Sequence, residues 1–139
     1  MLRLIEYKQL PVTVPAKTLY LFFEEAVSNF EKKRIPKNEF LEILVELIDR
    51  QGYTYERLNE PLKSEIDRMI SQLWNTQSYD DVDILLWIII NLALEHSYLL
   101  AKKALVHPEG IDPKIIQEIR EAMDETGGSV EGLYYDFRS

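Results

Sequence analysis

The chain has 139 residues, 46% of them apolar, with 5 Gly, 6 Pro and no cysteine. That length suits a single domain with a real core. The composition excludes disulfides, thiolate metal sites and cysteine nucleophiles, and it leaves little turn material for a β-sandwich. Twenty-four acidic against sixteen basic residues give a net charge of −8, which repels phosphate backbones and anionic lipid and attracts basic partners.

The opening residues, Met1 to Glu6, lack a cationic stretch followed by a long apolar run, so no signal peptide is expected. The most apolar segment, Ile84 to Leu94, is interrupted by Asn91 and flanked by Asp83 and Glu95. It falls well short of the roughly 20 apolar residues that a membrane span needs. Together with the missing cysteines, this leads us to expect a cytoplasmic protein without a membrane partner.

Residues 1–14 are ambiguous. Leu2/Leu4 and Val12/Val14 alternate as in a strand, while Pro11 and Pro15 limit any continuous element. A first helix is expected from Pro15 or Ala16, with Leu19, Phe23, Ala26 and Phe30 on one face. Lys32, Lys33 and Arg34 fall in its last turn, and Pro36 stops it.

The second helix is predicted over about Pro36 to Gln51, buries Phe40, Leu41, Leu44, Leu47 and Ile48, and is ended by a left-handed Gly52. A third, about Glu60 to Trp74, follows the Tyr53-Thr54-Tyr55 connection and carries Leu62, Ile66, Met69, Ile70 and Leu73. Ser78 with Asp81 resembles a capping box and opens one long helix, about Tyr79 to Val106. Its first half is apolar all round and is therefore expected to be enclosed, while Asn91, Glu95, Tyr98 and Lys102 form a polar stripe on the second half. After a Pro108-Glu109-Gly110 turn, Asp112 caps a fifth helix with Pro113 in its first turn and Ile115, Ile116, Ile119, Ala122 and Met123 inward, ended by Gly127-Gly128. The aromatic tail, Gly132 to Arg138, is expected to dock on the body. The pattern predicts an all-α, single-domain, irregular or orthogonal bundle over residues 1–139, of about five helices around a central apolar one. A short α-solenoid is the alternative, although no repeat period supports it.

Recognisable catalytic motifs are missing. The two histidines, His96 and His107, belong to no Glu-x-x-His or His-Glu-x-x-His pattern. Asp80, Asp81 and Asp83 lack the ligand series and central Gly of a calcium loop and are explained by favourable charge at a helix N-terminus. No phosphate-binding glycine loop or nucleophile elbow occurs. Lys32, Lys33, Arg34 and Lys37 are the only basic cluster, against a −8 background, so no nucleic-acid role is expected.

The most directional feature is Glu39, Glu42, Glu46 and Asp49 on the second helix, within about 80° of arc at 100° per residue. Like charges at such spacings repel one another, a cost that a basic partner would remove. Tyr53 and Tyr55 follow as candidate contact residues, and Glu118, Glu121 and Glu125 repeat the spacing on the last helix. These features predict a non-catalytic protein-binding domain without a cofactor, using Glu39, Glu42, Glu46, Asp49, Tyr53 and Tyr55 against a basic protein. By analogy of class, a bacterial immunity protein or antitoxin against a basic nuclease-type toxin fits that physics. Two other readings stay open: a metal- or phosphate-dependent enzyme or small-ligand sensor built on Asp80, Asp81, Asp83, Glu95 and His96, and an oligomeric scaffold subunit.

Overall fold

The computed structural model describes residues 1–127. Among them are seven helices and no strand: α1 (Leu4–Lys8), α2 (Ala16–Glu31), α3 (Lys37–Gly52), α4 (Leu62–Leu73), α5 (Tyr79–Leu92), α6 (Glu95–Val106) and α7 (Pro113–Glu125). The all-α architecture is as expected, with two helices more than the periodicity predicts. The aromatic tail and Gly128 lie outside the described residues. The chain divides into two compact units between Lys63 and Ser64, inside the first turn of α4.

In the first unit α3 packs against both α1 and α2. The predicted inner face of α3 is buried at Phe40, Leu41, Leu44, Leu47 and Ile48, and Phe40 stacks on Phe30 with ring centroids 4.3 Å apart. Within residues 1–14, which the sequence left ambiguous, Leu4–Lys8 form a short helix, and side chains satisfy its ends. Glu6 accepts the Arg3 N–H, while Glu39 takes the Arg3 guanidinium at 2.6 and 2.7 Å and the Leu4 N–H at 3.2 Å. At the far end, buried Arg50 donates to the carbonyls of Lys8, Leu10 and Pro11. A five-residue helix has no stability of its own, and these partners supply it.

Tyr7 on α1 is fully buried and lies edge-on to Phe22, yet its hydroxyl meets no hydrogen-bond partner among the described residues. Burial first, then Glu25 and Glu6, push its phenol pKa upward. A buried, unsatisfied hydroxyl is a cost without a return, so Tyr7→Phe is expected to stabilise the fold by about 1 kcal/mol. The check is a higher urea midpoint with an unchanged slope.

Two terminators differ from expectation. Gly52 is the last residue of α3, and the left-handed residue is Tyr55 (φ 56°). α2 ends at Glu31, so Lys32, Lys33 and Arg34 lie beyond it and not in its last turn. The left-handed Lys33 (φ 59°), ahead of Pro36, closes it, with the Arg34 N–H returning to the Asn29 carbonyl at 2.8 Å.

In the second unit α5, α6 and α7 pack pairwise. The expected long helix is broken: Ala93 is left-handed (φ 53°, ψ 54°), and Leu94 is extended before α6 begins. The break follows from a contact remote in sequence. The Asp67 carboxylate on α4 accepts the amides of His96 and Ser97 at 3.0 and 2.9 Å and the Ser97 hydroxyl at 2.6 Å. It thereby caps the new helix start from outside, as a side-chain cap does locally. The break also turns α6, so Tyr98, expected on a polar stripe, is buried with its hydroxyl 2.6 Å from Thr126 Oγ1. Ser78 and Asp112 cap α5 and α7 as predicted, accepting the Asp81 and Lys114 amides at 3.3 and 2.8 Å. Among the described residues, no helix is long and apolar enough to cross a membrane.

Candidate functional site: an acidic, aromatic groove on the second unit

The carboxylates expected to form one exposed ridge on α3 divide into two kinds. Glu39 is held by Arg3, whose hydrogen bond draws its carboxyl below the ordinary carboxylate value. Glu46 pairs with Arg50 at 3.1 Å. Glu42 and Asp49 remain exposed, as do Tyr53 and Tyr55. The ridge of four outward charges is therefore corrected to two, because α1 recruits one member and the Arg50 clamp another. Sequence spacing cannot register partners that lie more than thirty positions away, as Arg3 does from Glu39.

Behind the tyrosines the loop is internally braced. The Thr54 hydroxyl donates to the Gln51 carbonyl at 2.7 Å and accepts the Glu56 amide at 3.1 Å, and the Gln51 side-chain amide donates to the Glu56 carbonyl at 2.8 Å. Tyr53 and Tyr55 are displayed on an ordered turn.

Asp80, Asp81, Asp83, Glu95 and His96 are not brought together. The three aspartates lie in the first turns of α5, and Glu95 and His96 lie beyond its end. Nine residue steps of helix, from Asp83 to Leu92, separate the two groups by roughly 14 Å. Asp81 meets Asn75 at 3.2 Å, and the His96 amide is bound by Asp67. Among the described residues, no group of three or more His, Asp or Glu side chains is placed to hold a metal ion.

A different grouping emerges between α5 and α7. Tyr79, Asp83 and Trp87 recur one helical turn apart on α5, all exposed, and line up as one stripe. Trp87 was expected to be enclosed, but α5 turns this side to solvent while Leu85, Leu86, Ile88 and Ile89 go inward. The Tyr79 hydroxyl donates to Glu118 Oε2 at 2.9 Å. Beside it an open groove of about 420 Å³ is lined by Tyr79, Pro113, Lys114, Gln117, Glu118 and Glu121.

The electrostatics of this groove are unfavourable for the isolated chain. The Tyr79 hydrogen bond pulls the Glu118 carboxyl pKa down. Its hydrogen-bonding contact with the Asp83 carboxyl, partial burial and the charges of Asp83 and Glu121 outweigh that pull, and the net shift is upward. Tyr79 is shifted up as well, by its hydrogen bond to Glu118 first and by the same negative field. Among the described residues, no lysine or arginine closes an ion pair with Asp83, Glu118 or Glu121.

A carboxyl whose folded pKa is raised gives its stabilising share below the ordinary value of 4.5 and loses it as pH rises through the folded value. Glu118→Gln keeps an acceptor for Tyr79 and cannot ionise. It is expected to raise stability at pH 7 by about a few tenths of a kcal/mol, because solvent screens a half-exposed group. The gain should vanish near pH 4, as read from paired urea titrations.

Glu118 and Glu121 are visible in the sequence as acidic residues at helical spacing. What sequence reading missed is the juxtaposition of Glu118 with Tyr79 and Asp83, beside the exposed Trp87 stripe of α5. The one available signal was Tyr79, Asp83 and Trp87 recurring every fourth residue. In comparisons with protein families, with curated proteins and with solved structures, no match to this chain was found.

Proposed function

We propose that the chain is a non-catalytic protein-binding domain whose partner presents a cationic segment to the α5/α7 groove. The observation that supports this most is the open groove in which Tyr79 holds Glu118 at 2.9 Å beside Glu121, with Asp83 pressing a like charge on Glu118 and Tyr79 and Trp87 exposed along α5. A lysine or arginine laid there would relieve the repulsion and form charge-assisted bonds. It would also find aromatic faces for cation–π contact. Tyr and Trp are the residue types that most often anchor interfaces. Glu42, Asp49, Tyr53 and Tyr55 on the first unit are a second set of exposed acidic and aromatic side chains suited to the same kind of partner. A cytoplasmic immunity protein or antitoxin that covers a basic toxin is the particular role this reading favours.

The test uses a short polyarginine peptide as probe and a glutamine peptide of equal length as control. With Trp74→Phe, Trp87 is the only indole left of the two in the chain. Polyarginine should change Trp87 fluorescence and shift the NMR signals of residues 79–87 and 114–121, with affinity falling as salt rises. Asp83→Lys with Glu118→Lys should abolish both responses. Shifts confined to other surfaces, or responses that survive the double reversal, would remove the groove from consideration.

A further inference from the structure

We infer that the α5–α6 corner can open into one continuous helix, and that the face this releases is covered by a second copy of the same chain in a domain-swapped dimer. This inference does not depend on the groove reading. It starts from a conflict between local preference and observed shape. Residues 79–106 contain no glycine or proline, and Leu92, Ala93, Leu94 and Glu95 are among the better helix formers. Nothing local asks for a break. Yet Ala93 sits in the left-handed region at φ 53°, where its Cβ crowds the following carbonyl and glycine is the usual occupant.

The corner is held from elsewhere. Asp67 binds the His96 and Ser97 amides and the Ser97 hydroxyl, and its own backbone carbonyl takes that hydroxyl at 3.0 Å. In a continuous helix those two amides would bond to the carbonyls of Leu92 and Ala93 instead. The closed and open corners thus satisfy the same donors in different ways. Closed, the chain keeps the Asp67 cap and bears the Ala93 conformation. Open, it relaxes Ala93 and leaves Asp67 without its amides.

Opening within one molecule would strip α6 and α7 from α5 and expose Leu94, Ala101, Ile115, Ile119 and Met123, all buried now. A second copy with its corner open offers the same α5 surface, so those contacts re-form between copies and only the corner differs. That is the condition under which exchange of identical segments is inexpensive, and a short strained connection invites it. In such a dimer Tyr79 and Asp83 of one copy would face Glu118 and Glu121 of the other.

The experiment refolds the full chain from urea at low and high protein concentration and measures the dimer fraction by size-exclusion chromatography with light scattering. The wild type should form dimer preferentially at high concentration. Asp67→Ala should raise the dimer fraction about tenfold, the scale set by losing charge-assisted hydrogen bonds, and Ala93→Gly should lower it. If Asp67→Ala does not fold, Asp67→Asn, which retains one acceptor, should give an intermediate rise. The decisive variant is Glu95→Pro. Glu95 is the first residue of α6 and follows an extended Leu94, so proline is tolerated in the closed corner. In a continuous helix it would clash with the carbonyl four residues earlier. Glu95→Pro should therefore suppress the dimer in both the wild-type and Asp67 backgrounds. A dimer that persists in Glu95→Pro, or Asp67 variants that fold and stay monomeric at every concentration, would overturn the inference.

Discussion

Arg50→Ala is expected to destabilise the protein by about 3–5 kcal/mol, because several charge-assisted hydrogen bonds to main-chain carbonyls are lost together. The Arg50 side chain is only 8% exposed. Its Nε donates to Pro11 O at 3.0 Å, Nη2 to Leu10 O at 2.8 Å and to Lys8 O at 3.3 Å, and Nη1 to both the carbonyl and the carboxylate of Glu46. Removing the guanidinium leaves those carbonyls without their donor and unfastens the segment that holds α1 on α3. Arg50→Lys should recover little, because one ammonium cannot span acceptors arranged around a planar fork. Hydrogen exchange should show α1 losing protection before α2 or α3 in both variants. If lysine restored wild-type stability, charge alone would be holding the segment and the fork geometry would be incidental. Glu46→Ala is expected to cost far less than Arg50→Ala, since the guanidinium keeps its main-chain acceptors.

Phe40→Ala should cost a similar amount, about 3–5 kcal/mol, for a different reason. Its side chain is fully buried and stacked almost parallel on Phe30, with 2° between the ring planes. Truncation removes apolar surface from the core and leaves a cavity that two packed helices cannot fully collapse. Phe40→Leu keeps most of the volume and should cost about 1 kcal/mol. Phe30→Ala should lie between them, because Phe30 is already half-exposed. Urea midpoints for the three variants provide the check, and equal losses would mean that the stack itself, not burial, carries the stability.

These two residues mark where the sequence was legible and where it was not. Phe40 lies on an apolar stripe of period 3.6, and every member of the predicted inner face of α3 is buried. The caps at Ser78 and Asp112 and the left-handed Gly127 were equally readable, because a cap is chemistry between neighbours. Arg50 gave no such sign. Only the arrival of residues 8–11 makes it a buried clamp.

The candidate sites followed the same division. Four carboxylates on one side of α3 were predictable from spacing, but their availability was not. Arg50, one helical turn along, takes Glu46 within α3, whereas Arg3 reaches Glu39 only through folding. Conversely, Tyr79, Asp83 and Trp87 recur every fourth residue, yet their meaning depends on Glu118 and Glu121 arriving from α7. The long helix over residues 79–106 shows the limit most clearly. Every local preference favours continuity, and one carboxylate from α4 bends the chain against it.

By itself, the sequence determined that this protein is helical, which faces of α2, α3, α4 and α7 turn inward, and that its surface carries excess negative charge. Those properties arise from periodicity, caps and composition, which act over a few residues. The tertiary structure alone decided that residues 4–8 form a helix, that the chain turns at Ala93, that Arg3 matches Glu39, and that Trp87 faces solvent. Each of these depends on groups distant along the chain, and their proximity exists only once the helices have packed.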